Sequence, residues 1–290
     1  METVRRIKKI NKGHATVDGA GVHLVRVIGN RDTDDYDPFL MLDAFDSYDP
    51  ADYTAGFPWH PHRGIETVTY LIEGEIEHGD SLGNKGTIHG GEAQWMTAGS
   101  GIIHQEMPKA SNRMLGAQLW LNLPRKDKMT APMYGDIKRA DIPEIKEGDA
   151  TIKVVAGKYR DTAGGFSGKY IPADYLDVEI AKGGSWSYES EATDRLFAYI
   201  VSGSADFSPD GEEGAETAAK QAVLFTDGDV LNVRAGANGV RMLLLCAAPL
   251  GEPVAWGGPI VMNTNEELNK AFDELDSGTF LRIGKEGVQA

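Results

Sequence analysis

Sliding the 290-residue chain along itself by 129 positions brings two remote segments into register without a gap. Pro58–Gly74 falls on Ser187–Gly203, so that Tyr70 meets Tyr199, Leu71-Ile72 meets Ile200-Val201, Gly74 meets Gly203 and Trp59 meets Tyr188. At the same offset Thr97-Ala98-Gly99 meets Thr226-Asp227-Gly228. A strand followed by glycine is common, so each match alone is weak. Agreement of two segments on one offset is harder to reach by chance, and an internal repeat constrains architecture before any single motif does. The offset predicts two copies of one unit, divided in the Pro- and charge-rich stretch Pro124–Asp149. We place the units at residues 1–135 and 136–290.

Both copies read as β-structure. Short β-branched and aromatic runs, bounded by Gly, Asp and Asn, fall at Ile65–Ile76, Gly91–Thr97, Leu115–Leu121, Ile152–Val155, Tyr175–Ile180, Leu196–Val201, Ala222–Phe225 and Val240–Cys246. Many short strands joined by glycine-rich turns, with 35 glycines in all, predict barrels or sandwiches. Helical patterning is confined to the end. There Thr264-Asn265-Glu266-Glu267 forms a capping box ahead of Leu268, Ala271, Phe272 and Leu275, predicting one helix over Asn265–Asp276. The expectation is an all-β chain of two tandem barrels with a short C-terminal helix.

Composition narrows the functional classes. An apolar fraction of 41% and a charged fraction of 25% exclude a disordered chain. No run reaches the roughly 18 apolar residues that span a bilayer. The basic opening Met1–Lys12 lacks the apolar stretch of a secretory signal, and Cys246 is the only cysteine, so no internal disulfide forms and a cytoplasmic location is expected. A net charge of −15 argues against direct nucleic-acid binding, which needs a basic face, and leaves room for a basic protein partner.

All seven histidines lie within the first 104 residues, so imidazole chemistry belongs to the first copy. Strand side chains alternate faces. His60-Pro61-His62 therefore presents two imidazoles on one side, and His104-Gln105-Glu106 an imidazole and a carboxylate. Facing one another across a barrel, these segments bring four ligands to one ion. Neutral imidazole suits Fe, Zn, Cu and Ni, and the carboxylate favours a divalent charge. A lone His-x-His is usually an ordinary surface feature. Its pairing with His-x-Glu after the turn Gly99-Ser100-Gly101 favours a metal site. At the 129 offset the counterparts are Glu189, Glu191, Val233 and Ala235, so the second copy lacks this ligand set. Pro61 has no N–H and predicts an edge strand.

Other residues read more plainly. Glu66 is expected to pair with Arg63 or to accept a hydrogen bond behind the ligands. His78 and His89 are expected in solvent, and Gly83-Asn84-Lys85-Gly86 is a hairpin turn because it lacks the Gly-Lys-Ser/Thr ending of a phosphate loop. Phe57, Trp59, Trp95 and Met96 are core candidates that could line a pocket over the ion. No Gly-x-Ser-x-Gly occurs, and Cys246 has no downstream histidine, so nucleophilic hydrolysis is unsupported.

Pro38–Phe45, Gly56–Tyr70, Gln94–Glu106 and Gly258–Thr264 closely resemble the pirin family. Trp59 departs from the aspartate frequent there, and His89-Gly90 from the usual turn. The resemblance implies a bicupin with one metal, usually iron, in the N-terminal barrel, held by His60, His62, His104 and Glu106. It further implies either quercetin 2,3-dioxygenase activity, as linked to bacterial members, or transcriptional co-regulation, as linked to eukaryotic ones. We therefore expect a dioxygenase acting on a flavonol or similar enolic aromatic with O2. The cofactor is one divalent ion, Fe2+ first and Mn, Ni, Zn or Cu as alternatives, and Glu106 is both ligand and proton acceptor. The alternative is a non-enzymatic, iron-dependent redox sensor docking on a basic protein. A sugar-isomerase-like role is disfavoured because no phosphate-binding basic cluster accompanies the ligands. A monomer is expected, since the second copy supplies the partner surface.

Overall fold

The computed structural model describes residues 2–209, 212 and 214–282. The last residues of the second expected unit, 283–290, lie outside them. Among the described residues the chain forms three large antiparallel sheets. The first half folds into a seven-stranded and a four-stranded sheet, and the second is organised around a nine-stranded one.

In the seven-stranded sheet the order is Met133–Ile137, Ala93–Thr97, Ile65–Glu73, Met114–Asn122, Phe39–Ser47, Val22–Ile28, His14–Asp18. The four-stranded sheet runs Phe57–His62, Ile102–Pro108, Glu75–Asp80, Lys85–His89. Phe57–His62 is an edge strand, where the missing N–H of Pro61 breaks no ladder bond. The expected strand Ile65–Ile76 is in fact two. It stops at Glu73 because Gly74, at φ +109°, turns the chain out of one sheet and into the other. Gly83, at φ +92°, closes the hairpin between Glu75–Asp80 and Lys85–His89 as expected.

The repeat is visible in the register. Tyr70 faces Ala93 in the first half, and its counterpart Tyr199 faces Ala222 in the second. Gly74 and Gly203 both take positive φ. The ligand-bearing pair departs from this rule: His60 faces His104, whereas Glu189 faces Val230 and not Val233.

The two halves pack face to face. On Arg195–Asp206, Phe197, Tyr199 and Val201 enter the layer between the halves, while Leu196, Ala198 and Ile200 enter the interior of the second. A strand buried on both sides reads as an unbroken apolar run, which is why the sequence gives no alternation there. Phe197 meets Tyr36 and Phe39 of the first half edge to face, at 5.2 and 5.1 Å between ring centres. Tyr70 donates to Asp177 at 2.7 Å across the same layer, and Arg241 neutralises that buried carboxylate.

Both ends of the chain cross over. Ile7–Asn11 pairs with Ala222–Phe225 in the sheet of the second half. Conversely, Ala255–Gly257 and Ile260–Met262 form a ribbon laid on the first half, where Val261 packs with Leu40, Met41 and Ile65. The C-terminal helix spans Asn265–Asp276 as expected, with Thr264 and Glu267 forming its capping box. A cut at 135/136 passes through Met133–Ile137, which pairs with Ala93–Thr97. Among the described residues no helix is long and apolar enough to cross a membrane.

Phe197→Ala removes the ring against which Tyr36 and Phe39 both pack at the centre of the layer, and the surrounding sheets cannot close the space. We expect a loss of about 3–5 kcal/mol, read as a lower midpoint in urea unfolding.

Candidate metal centre

His60 and His62 occupy alternate positions on Phe57–His62 and so share a face. Ile102–Pro108 does not face this strand across a barrel as expected but pairs with it antiparallel in the same sheet, placing His104 directly opposite His60. The three rings gather with centres 4.8 Å (His60–His62), 4.4 Å (His60–His104) and 5.0 Å (His62–His104) apart. One ring nitrogen from each lies within 4.8 Å of the other two. His62 and His104 are each only 2% exposed.

The hydrogen bonds determine what those nitrogens present. Nδ1 of His60 lies 2.8 Å from the Pro58 carbonyl, and Nδ1 of His62 lies 3.1 Å from the Pro259 carbonyl. A carbonyl only accepts, so each Nδ1 carries the hydrogen and each Nε2 is a bare lone pair. Yet the two Nε2 atoms stand 3.0 Å apart, with no hydrogen left to share. Nε2 of His104 is buried with no hydrogen-bond partner. Electron pairs aimed at one small space repel unless a cation lies among them. Two nitrogens each about 2.1 Å from one ion and at right angles would stand about 3.0 Å apart. The residues present therefore fit a metal ion. Burial also keeps His62 and His104 neutral, as ligation requires. It pushes His62 down to about 3, aided by neighbouring His60 and opposed by the Pro259 carbonyl, and His104 well below the ordinary histidine value.

Glu106 shares the inward face of Ile102–Pro108 with His104 and is 3% exposed. It lies outside the group of three that the ring nitrogens form. Its carboxylate accepts from Thr69 Oγ1 at 2.9 Å and Gln118 Nε2 at 2.6 Å. The register slips between His104 and Glu106, leaving Glu106 opposite Phe57. Such an irregularity re-aims a side chain along its strand.

His60 and His62 line a cleft of about 1140 Å³. Met41, Phe57, Trp120 and Trp256 give it apolar walls, and Trp120 stands edge-on to His62 with ring centres 4.9 Å apart. Its far side is polar: Arg26 grips Asp43 through two bonds of 2.9 and 2.7 Å and reaches Asp18 at 2.8 Å.

Several expectations change. Phe57 lines the cleft, but Trp95 and Met96 are core, and Trp59 is 51% exposed. Glu66 pairs with neither Arg63 nor the ligands. It accepts from Thr97 at 2.6 Å, and burial raises it to about 7. Arg63 meets Glu274 instead. His89 is exposed, whereas His78 is buried against Tyr134 because residues 76, 78 and 80 of its strand face inward. Trp120, Gln118, Trp256 and Pro259 escaped sequence reading. Gln118 alone left a signal, as a polar residue inside the apolar run Leu115–Leu121.

The pirin family model matches residues 21–121, and the model described as the pirin C-terminal cupin domain matches residues 175–281. The chain belongs to the pirin family. A pirin-like protein of Caulobacter vibrioides is 43% identical over 96% of this chain and 99% of its own. A Pseudomonas aeruginosa relative, named provisionally for quercetin 2,3-dioxygenase activity, is 40% identical over 96% and 99%. A crystal structure of a quercetin 2,3-dioxygenase from Acinetobacter baumannii superimposes with a TM-score of 0.85 at 30% identity, covering 96% and 98% of the two chains. The expected all-β pair of cupin barrels with a C-terminal helix is thus the fold of this pirin.

His62 and His104 resist protonation in the fold, while in the unfolded chain both charge as pH falls through about 6.5. Below that point the unfolded state binds more protons, so stability is lost as pH drops. The melting temperature of metal-free protein should decline between pH 6.5 and 4, and His62→Asn should make that decline shallower by about one proton. Thermal melts of both proteins across this range check it.

Proposed function

We propose that this pirin is a metal-dependent dioxygenase of the quercetin 2,3-dioxygenase type, opening a flavonol or related enolic aromatic with O2 and releasing CO. The observation that carries this reading is the cluster of three imidazoles, two of which, His60 and His62, line an aromatic-walled cleft. The dioxygenase names and the close superposition of its relatives support it. In this reading His60, His62, His104 and Glu106 hold one divalent ion, Fe2+ in the first instance. That ion supplies Lewis-acid polarisation of a coordinated hydroxyl and redox access to O2.

The chain's own residues do the rest. Trp120, Trp256, Phe57 and Met41 offer flat apolar surfaces for a planar substrate and keep water from the reacting ring. At about 1140 Å³ the cleft is slightly above the roughly 300–1,000 Å³ typical of small-molecule sites, so a three-ring aromatic has room. Glu106 takes the proton of the substrate hydroxyl on a carboxylate oxygen. Thr69 and Gln118 hold that carboxylate in place, and one of their hydrogen bonds must loosen as the proton arrives.

Protein loaded with Fe2+ or Mn2+ should consume quercetin under O2, followed by loss of the flavonol absorbance and by CO release. His62→Ala and His104→Ala should abolish turnover, and Glu106→Ala should reduce it by about 10²–10⁴-fold. Metal-loaded protein that turns over no flavonol with any of the candidate ions would refute the dioxygenase reading.

A further inference from the structure

The carbonyl that orients His62 comes from the other half of the molecule. Pro259 lies in the bend of the ribbon Ala255–Met262, whose strands Ala255–Gly257 and Ile260–Met262 pair with each other. Ile260 also bridges Arg63 in parallel, and Val261 N–H donates to the Arg63 carbonyl at 3.1 Å. Beneath this contact lies Lys128, 1% exposed. Its Nζ donates to the Gly64 carbonyl at 2.9 Å, the Val261 carbonyl at 2.9 Å and Asn122 Oδ1 at 2.7 Å.

An ammonium has three hydrogens and all three are used. No carboxylate is among these partners, and burial lowers the Lys128 ammonium to about 7, an unfavourable choice if the only need were to fill space. What the three bonds join explains the choice. Gly64 stands two residues after the ligand His62, and Val261 two residues after Pro259. Lys128 therefore ties the strand end carrying the imidazole to the ribbon carrying its acceptor. The approach is close enough to exclude a side chain: a Cβ on Gly64 would lie 1.9 Å from the Val261 oxygen.

We propose that Lys128 is a positioning residue for the metal centre, clamping the Gly64 and Val261 carbonyls together so that Pro259 stays on Nδ1 of His62 and its Nε2 stays aimed into the cluster. The clamp concerns the binding of the ion and is independent of the reaction that follows, so its test needs no flavonol.

Full-length protein is titrated with Co2+, following the visible ligand-field absorption, as wild type, Lys128→Met and Glu274→Gln. Lys128→Met keeps the stem and removes the donors. It should weaken Co2+ binding by about 10–100-fold, as loss of a ligand's outer partner does, and alter the absorption band. Glu274→Gln loosens the Arg63 contact with the C-terminal helix and leaves the clamp intact, so its affinity should stay within about threefold of wild type. A folded Lys128→Met protein with wild-type affinity overturns the proposal, as does an equal loss in both variants. If Lys128→Met fails to fold, hydrogen exchange on the wild type decides. Coupling is reciprocal, so Co2+ must slow amide exchange across residues 255–263 by the factor with which the ribbon strengthens binding. Unchanged exchange there overturns it.

Discussion

Each half of the chain builds a large sheet whose outer face is as apolar as its inner one, and such a face can be hidden only against another like it. Phe39, Leu42, Val68 and Tyr70 from one half and Tyr175, Phe197, Leu243 and Leu245 from the other close that layer. A buried charged contact within it, Tyr70 to Asp177, is compensated by Arg241. Packing of this kind fixes the two barrels as one body, and it leaves each barrel's interior free to be used differently.

They are used very differently. The second interior is filled by Trp186, Tyr188, Leu196, Ile200, Leu231 and Val233, an ordinary apolar core. In the first, Thr69, Gln118, Glu106, His62 and His104 are buried, and the walls around them are aromatic. Burying so many polar groups is unfavourable unless each is satisfied. Glu106 is satisfied by two donors, and His60 and His62 by carbonyls on Nδ1. Among the described residues nothing donates to the Nε2 atoms of His60 and His62, and Nε2 of His104 has no partner at all. A stable scaffold on one side thus supports a polar, histidine-bearing interior on the other.

The parts of this arrangement legible in the sequence are those set by local geometry. His60 and His62 are two residues apart on a strand, and period-two alternation alone puts them on one face. The capping box of Thr264 and Glu267 marks the helix start because both partners lie within one turn. The offset of 129 survives in the Tyr70–Ala93 and Tyr199–Ala222 pairs because equal lengths of chain separate the two partners in each copy. What the sequence could not show depends on long-range contact. Trp256 and Pro259 reach the cleft only through the crossing of the C-terminal ribbon. His78 looked like a solvent-facing loop residue, yet its strand turns it inward. Glu106 is legible as a neighbour of His104, but the slip in register that places it beside Thr69 and Gln118 leaves no mark in spacing.

The crossing of both chain ends also sets an order of events. Ile7–Asn11, made first, finds its partner strand Ala222–Phe225 only when more than two-thirds of the polypeptide has left the ribosome. The carbonyl that fixes the His62 tautomer is made later still, at Pro259. A nascent chain with its whole first barrel emerged therefore has the imidazoles but not the acceptor that orients one of them, nor the Trp256 wall. Domains otherwise tend to fold as units during synthesis. Here the surroundings of the imidazole cluster are completed near the end of translation, once Pro259 and Trp256 have emerged.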